Sequence, residues 1–80
     1  MARRLYRPRS AKVAASADGV PEQVGRADVD SVREEWLVED RWWTGRPLRR
    51  HYFELTLSSG ANAVVFCDLV SGRWYSQKGG

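Results

Sequence analysis

The sequence predicts an all-β domain: a small antiparallel meander of about five or six strands, half-closed or closed into a barrel of SH3-like size, with a basic N-terminal arm. Three observations point there. Short β-rich runs are separated by turns containing Gly, Ser or Asp. The run from Arg49 to Leu57 alternates cleanly, with His51, Phe53, Leu55 and Leu57 on one face and Arg50, Tyr52, Glu54 and Thr56 on the other. No stretch carries a convincing long helical stripe. At 80 residues the chain holds one domain with a modest core, in which large aromatic side chains matter for stability. Barrel closure hides the edges of so small a sheet.

Taken in order, residues 1–8 form a flexible basic arm, 9–77 the β domain, and 78–80 a frayed end. Pro8 favours an extended chain, and Arg9 to Ala15 alternates weakly, with Ala11, Val13 and Ala15 on one face of a first strand. Ala17-Asp18-Gly19 is a hairpin turn signal. Val20 to Arg26 contains Pro21 and is at best an edge strand, with Gly25 marking a bend. Next comes Val32 to Trp43, reading VREEWLVEDRWW, with three of the chain's four tryptophans. With period 2, Val32, Trp36, Val38 and Trp42 share a face with Glu34 and Asp40. Arg33, Glu35, Leu37, Glu39, Arg41 and Trp43 share the other. A helix is the rival: Ser31 to Glu34 fits a capping box, and Val32, Trp36 and Trp43 could form a helical stripe. Thr44 to Pro47 is a loop. Ser58-Ser59-Gly60 turns the chain after Leu57, and Ala63 to Cys67 is apolar on both faces, as a central strand is. Ser71-Gly72 turns it again into a last strand, Arg73 to Gln77, with Trp74 and Tyr75 on opposite faces.

The net charge of +3 is uneven. Arg3, Arg4, Arg7, Arg9 and Lys12 place five positive charges and no acid in the first twelve residues, leaving a slightly acidic body. That asymmetry suggests contact with a polyanion; the plain alternative is a solvated terminus. The single cysteine excludes an internal disulfide and fits a cytoplasmic setting. No window is apolar for long enough to cross a membrane as a helix. The basic start lacks the apolar segment of an export signal and is read as an arm.

The order Glu34, Trp36, Val38, Asp40, Trp42 and Trp43, then Arg50 and Tyr52, then Asp68, Leu69, Gly72, Trp74, Tyr75 and Gln77 resembles a small domain of unknown function. That domain occurs at the C-terminus of ImuB-type proteins, catalytically degenerate relatives of Y-family DNA polymerases in the bacterial damage-inducible mutagenesis system, and also as short stand-alone proteins. The resemblance covers a little over half the chain; the start fits only loosely, and Cys67 departs from the pattern. It favours a strand for Val32 to Trp43. It implies an accessory module near translesion synthesis and carries over no catalytic residues.

Residue chemistry points away from catalysis. His51 and Cys67 are the only residues of their kinds, and each falls mid-strand on a core-like register, where a structural thiol and a packed histidine are the simpler reading. One Cys and one His make no metal-ligand set. The acids Glu34, Glu35, Glu39 and Asp40 read as a solvated face. Trp36 and Trp42 are expected in the core. Trp43, beside Arg41 and near Arg46, Arg49 and Arg50, has the composition of a base-stacking platform with phosphate contacts. It equally fits a protein hot spot, or a cover over the barrel end with Arg49 or Arg50 paired to Glu35 or Glu39. Asp68 is expected to hydrogen-bond within a turn. The Gly79-Gly80 end invites comparison with ubiquitin-like sulfur carriers, a remote alternative because their amphipathic helix is hard to find in this sequence and no acidic interface is evident near the end.

The expectation is a non-enzymatic binding module without metal, cofactor or membrane contact. Its partner would be a translesion polymerase-associated protein, DNA, or both; the alternative is a pure protein adaptor. The expected contact residues are Arg3, Arg4, Arg7, Arg9, Arg41, Trp43, Arg46, Arg49, Arg50 and Arg73. Oligomeric state is left open.

Overall fold

A computed structural model describes residues 8–40 and 47–77, excepting the Asp40 side chain. Seven strands form one antiparallel sheet: β1 (Arg9–Ser10), β2 (Val13–Ala15), β3 (Pro21–Val24), β4 (Ala27–Asp40), β5 (Leu48–Leu57), β6 (Asn62–Asp68) and β7 (Trp74–Gln77). Their order is β1-β7-β6-β5-β4-β3-β2. The expected meander is therefore present, and β6 has a neighbour on each side, as its two apolar faces require. Arg3, Arg4, Arg7, Arg41, Trp42, Trp43, Arg46 and residues 78–80 lie outside the described residues.

The sheet curls because its first segment belongs to both ends. The expected first strand divides at Ala11-Lys12. Its first half pairs with β7, Arg9 opposite Ser76 and Ser10 opposite Tyr75. Its second half pairs with β3, Val13 opposite Val24. The Ala11 N–H donates to the Trp74 carbonyl and the Gly25 N–H to the Lys12 carbonyl, so the crossing itself is hydrogen-bonded on both sides. One segment thus covers the two edges that an open sheet this small would expose.

The same arrangement corrects the expectation that Val20 to Arg26 is an edge strand. β3 lies between β2 and β4. Pro21 is tolerated there because it begins the strand and sits opposite Ala15, just past a register shift at Ala14/Ala15 where the ladder is already interrupted.

The turns expected at Asp18-Gly19, Gly25, Ser58 to Gly60 and Ser71-Gly72 are present, and the loop expected at Thr44 to Pro47 lies largely outside the described residues. Glycine is needed where φ is positive, as at Gly25, with φ of 61° in the tight β3–β4 connection, and at Gly72, with φ of 79° before β7. In the latter turn the Asp68 carboxylate accepts the N–H groups of Val70 at 2.9 Å and Ser71 at 3.2 Å, the turn-forming role its position suggests.

β4 is a strand, and the helical alternative fails. Its alternation is broken by two register shifts, one between Val29 and Ser31 and one between Val32 and Glu34. Each inserts one extra residue, Asp30 and then Arg33, and each reverses which face the following side chains occupy. Val29 and Val32 pack on the core, whereas Trp36 falls on the opposite face. The sequence reading placed Val32, Trp36 and Val38 on one face and Trp36 in the core. The bulge at Arg33 separates Val32 from the other two, and Trp36 is 40% exposed.

The core lies on the concave face. Phe53, Leu55 and Val65 are fully buried, with Val13, Val24, Val29, Val32, Leu57 and Trp74 packed around them. Strands from both ends of the sheet contribute, β2 through Val13 and β7 through Trp74.

Candidate functional site

The convex face carries a second apolar arrangement, built by register. Trp36 on β4 stands opposite Tyr52 on β5, Tyr52 opposite Phe66 on β6, and Phe66 opposite Tyr75 on β7. Four neighbouring strands therefore place one aromatic residue each in a single row. Trp36 and Tyr52 stack with ring centres 5.3 Å apart and planes 4° from parallel. The Tyr52–Phe66 and Phe66–Tyr75 centres are 4.8 and 5.2 Å apart. Cross-strand aromatic contacts of this kind each contribute about 0.5–1.5 kcal/mol beyond area burial. Among the described residues, no further layer covers the row.

Charged residues border it unequally. On the side toward the β4–β5 tip, Arg50 is opposite Asp68, and the Asp68 N–H donates to the Arg73 carbonyl, which puts Arg73 level with Arg50. The Arg50 guanidinium lies 4.5 Å from the Phe66 ring centre and donates to the Tyr52 hydroxyl at 3.1 Å. Its Nε is buried without a hydrogen-bond partner among the described residues. On the other side, Glu34 is directly opposite Glu54. Like charges so placed repel, and among the described residues neither carboxylate has an ion-pair partner.

The expected contact residues are distributed as follows. Arg50 and Arg73 border the row. Arg49 belongs to the opposite face and is held by Glu39, its cross-strand partner, at 3.0 Å, which is the hairpin ion pair foreseen as the alternative to ligand contact. The two neighbouring arginines therefore do not converge. Arg9 is exposed on β1 at the sheet's margin. Trp36 and Tyr75 were missed as surface candidates. Tyr75 was legible from its placement opposite Trp74, but Trp36 was concealed by the bulge at Arg33.

His51 and Cys67 are cross-strand neighbours on the core side of β5 and β6. His51 Nε2 lies 2.9 Å from Glu35 Oε1. The Cys67 sulfur instead contacts the Asp68 carbonyl at 3.9 Å. Burial pushes the Cys67 thiol above its ordinary value, and the Asp68 charge adds to this. Both effects oppose formation of the thiolate that nucleophilic chemistry needs. Among the described residues no group of three or more His, Cys, Asp or Glu side chains is placed to hold a metal ion.

Comparison with protein-family models, with curated proteins and with solved structures found no match in any of the three.

Proposed function

We propose that this chain is a non-enzymatic binding module that docks a protein partner on its convex aromatic face. The observation that carries this reading is the row Trp36–Tyr52–Phe66–Tyr75, bordered by Arg50 and Arg73 on one side and by Glu34 and Glu54 on the other. An apolar centre with a charged rim is how protein interfaces are built, and Trp, Tyr and Arg are their usual energetic anchors. A nucleic-acid backbone laid across the same face would meet the Glu34–Glu54 pair. A partner's Lys or Arg would relieve the repulsion there, and a partner's carboxylate would suit the exposed Arg73.

A role beside the translesion machinery, in the cytoplasm, is the setting that the resemblance of residues 34–77 supports. DNA contact is a second reading, favoured by the charge concentrated in residues 3–12. It assigns phosphate attraction to Arg3, Arg4, Arg7 and Arg9, with Arg41 and Arg46.

The test is titration of the intact protein with purified translesion polymerase-associated proteins and with labelled single- and double-stranded DNA, at low and moderate salt. Two variants accompany it: Trp36→Ala/Tyr75→Ala, and Arg3→Ala/Arg4→Ala/Arg7→Ala. Substitution is preferable to deleting residues 1–12, which would remove β1. The aromatic variant should bind protein at least about tenfold more weakly, a hot-spot-sized loss. The arginine variant should retain protein binding while losing salt-sensitive DNA binding. DNA binding abolished by the aromatic variant would overturn the assignment of this face to a protein.

A further inference from the structure

Among the described strands, closure leaves a long stretch of β4 edge unpaired. The β3 ladder on β4 ends at Asp28, while the β5 ladder continues to Asp40. From Ser31 onward, β4 therefore has no described strand on its outer side. Bulges at Asp30 and Arg33 roughen the first part of this edge. The part from Glu34 to Asp40 is regular, with a large apolar side chain exposed on each face: Trp36 at 40% and Leu37 at 54%.

Hydrogen-bond parity shows which groups are available. The Leu57 N–H donates to the Ala61 carbonyl and the Leu69 N–H to the Arg49 carbonyl, so odd-numbered residues of β5 turn their backbone toward β6. The even-numbered ones turn toward β4, as the bond from the Ser58 N–H to the Asp28 carbonyl also indicates. In β4, Glu34, Trp36 and Val38 are thus consumed by β5. Glu35, Leu37 and Glu39 direct their N–H and C=O groups outward.

We propose that this edge pairs with the same edge of a second copy, antiparallel, with Trp36 opposite the partner's Trp36. Charge selects this register among those that keep equivalent faces together. It places Glu34 opposite the partner's Val38 and Glu35 opposite the partner's Leu37, with no like charges facing along the regular stretch. Shifted so that Leu37 opposes itself, the strands would set Glu35 against the partner's Glu39 and Glu34 against the partner's Asp40. Shifted the other way, Glu35 would face itself. Parity agrees with the favoured register: Glu35 and the partner's Leu37 are both outward-directed and exchange backbone hydrogen bonds, and the Trp36 pair falls at the closely spaced, non-hydrogen-bonded position. The two aromatic rows then join into one across the twofold axis. The inference does not depend on what the aromatic face binds.

Sedimentation equilibrium of the full chain, from micromolar to millimolar protein, should show a concentration-dependent rise toward twice the monomer mass. Leu37→Pro removes an outward N–H while leaving the β5 ladder its donors, and should hold the mass at one chain with the far-ultraviolet β spectrum retained. In a Cys67→Ser background, Glu35→Cys, Trp36→Cys and Leu37→Cys variants should differ in interchain disulfide formation, Trp36→Cys oxidising fastest because only its two Cα atoms come within bridging distance. A monomer throughout the range would overturn the proposal and leave the edge to a partner's strand. Dimerisation that survives Leu37→Pro, or crosslinking fastest at 35 or 37, would overturn it equally.

Discussion

Phe53 and Phe66 are almost equally buried, at 0% and 1% exposure, yet they occupy opposite faces of one sheet and are covered by different things. Phe53 is enclosed by the curl of the sheet. It lies with Leu55 and Val65, its ring centre 4.3 Å from that of His51 and 5.8 Å from that of Trp74. Phe66 is covered from the side, by Tyr52, Tyr75 and the Arg50 guanidinium. The first cover is the backbone's shape and is permanent. The second consists of side chains that lie over a neighbour and can move without unmaking the sheet. Equal burial therefore describes a core enclosed by the sheet in one case and a ring shielded by side chains in the other.

The sharpest way to break this comparison is truncation on each side. Phe53→Ala leaves a cavity that the curled sheet cannot collapse, and should cost about 3–5 kcal/mol. Since small domains are stable by only about 5–15 kcal/mol, urea unfolding should find a large share of the stability gone and the midpoint moved to much lower urea. Phe66→Ala should cost less, about 2 kcal/mol, because the opened site is filled by Tyr52, Arg50 or water. Equal losses for the two variants would show that the convex face is as enclosed as the core. Glu54→Gln should raise urea stability, by about 0.5 kcal/mol, through relief of the repulsion with Glu34. The same substitution should weaken partner binding if a cation settles between the two carboxylates. A loss of stability would mean that the pair is already compensated.

The smallest effect concerns Cys67. Its proton is held more tightly in the folded chain than at the ordinary value of 9.0, through burial and then the Asp68 charge. The contribution to stability is present below pH 9.0 and is lost as pH rises through the raised value. Thiol-reagent kinetics across this range should show the folded protein reacting more slowly than the urea-unfolded chain. Equal rates would place the sulfur in solvent.

The parts of the fold legible in the sequence are those set by local chemistry. The four glycine-containing turns, the strict alternation of β5 and the two-faced β6 follow from residue types within a few positions of each other. The parts that were not legible depend on what lies opposite. Nothing local distinguishes Asp30 and Arg33 from ordinary strand residues, yet their insertion decides the faces of everything after them in β4, Trp36 included. The division at Ala11-Lys12 is likewise visible only from the pairings it makes with β7 and β3. For the same reason the aromatic row was not foreseen: its members are single residues from four strands, aligned by register rather than by spacing. Arg49 and Arg50 show the limit at closest range, since neighbours in sequence became an ion pair on one face and a ring-stacked cation on the other.

The segment Arg9–Ala15 also sets an order of events. Each hairpin from β2 through β7 joins residues close in the chain, whereas β1 must find β7 across nearly the whole domain, Arg9 meeting Ser76. Bringing such distant positions together carries the largest loop-closure entropy in the molecule and slows folding relative to local pairing. The expected order is therefore meander first and seam last. In denaturant-jump kinetics, substitutions in the hairpin turns should slow folding, while substitutions at Arg9 or Ser10 should leave folding unchanged and speed unfolding. The seam is thus a latch on the finished domain: it fixes how long the barrel stays closed, and has little influence on how quickly it is made.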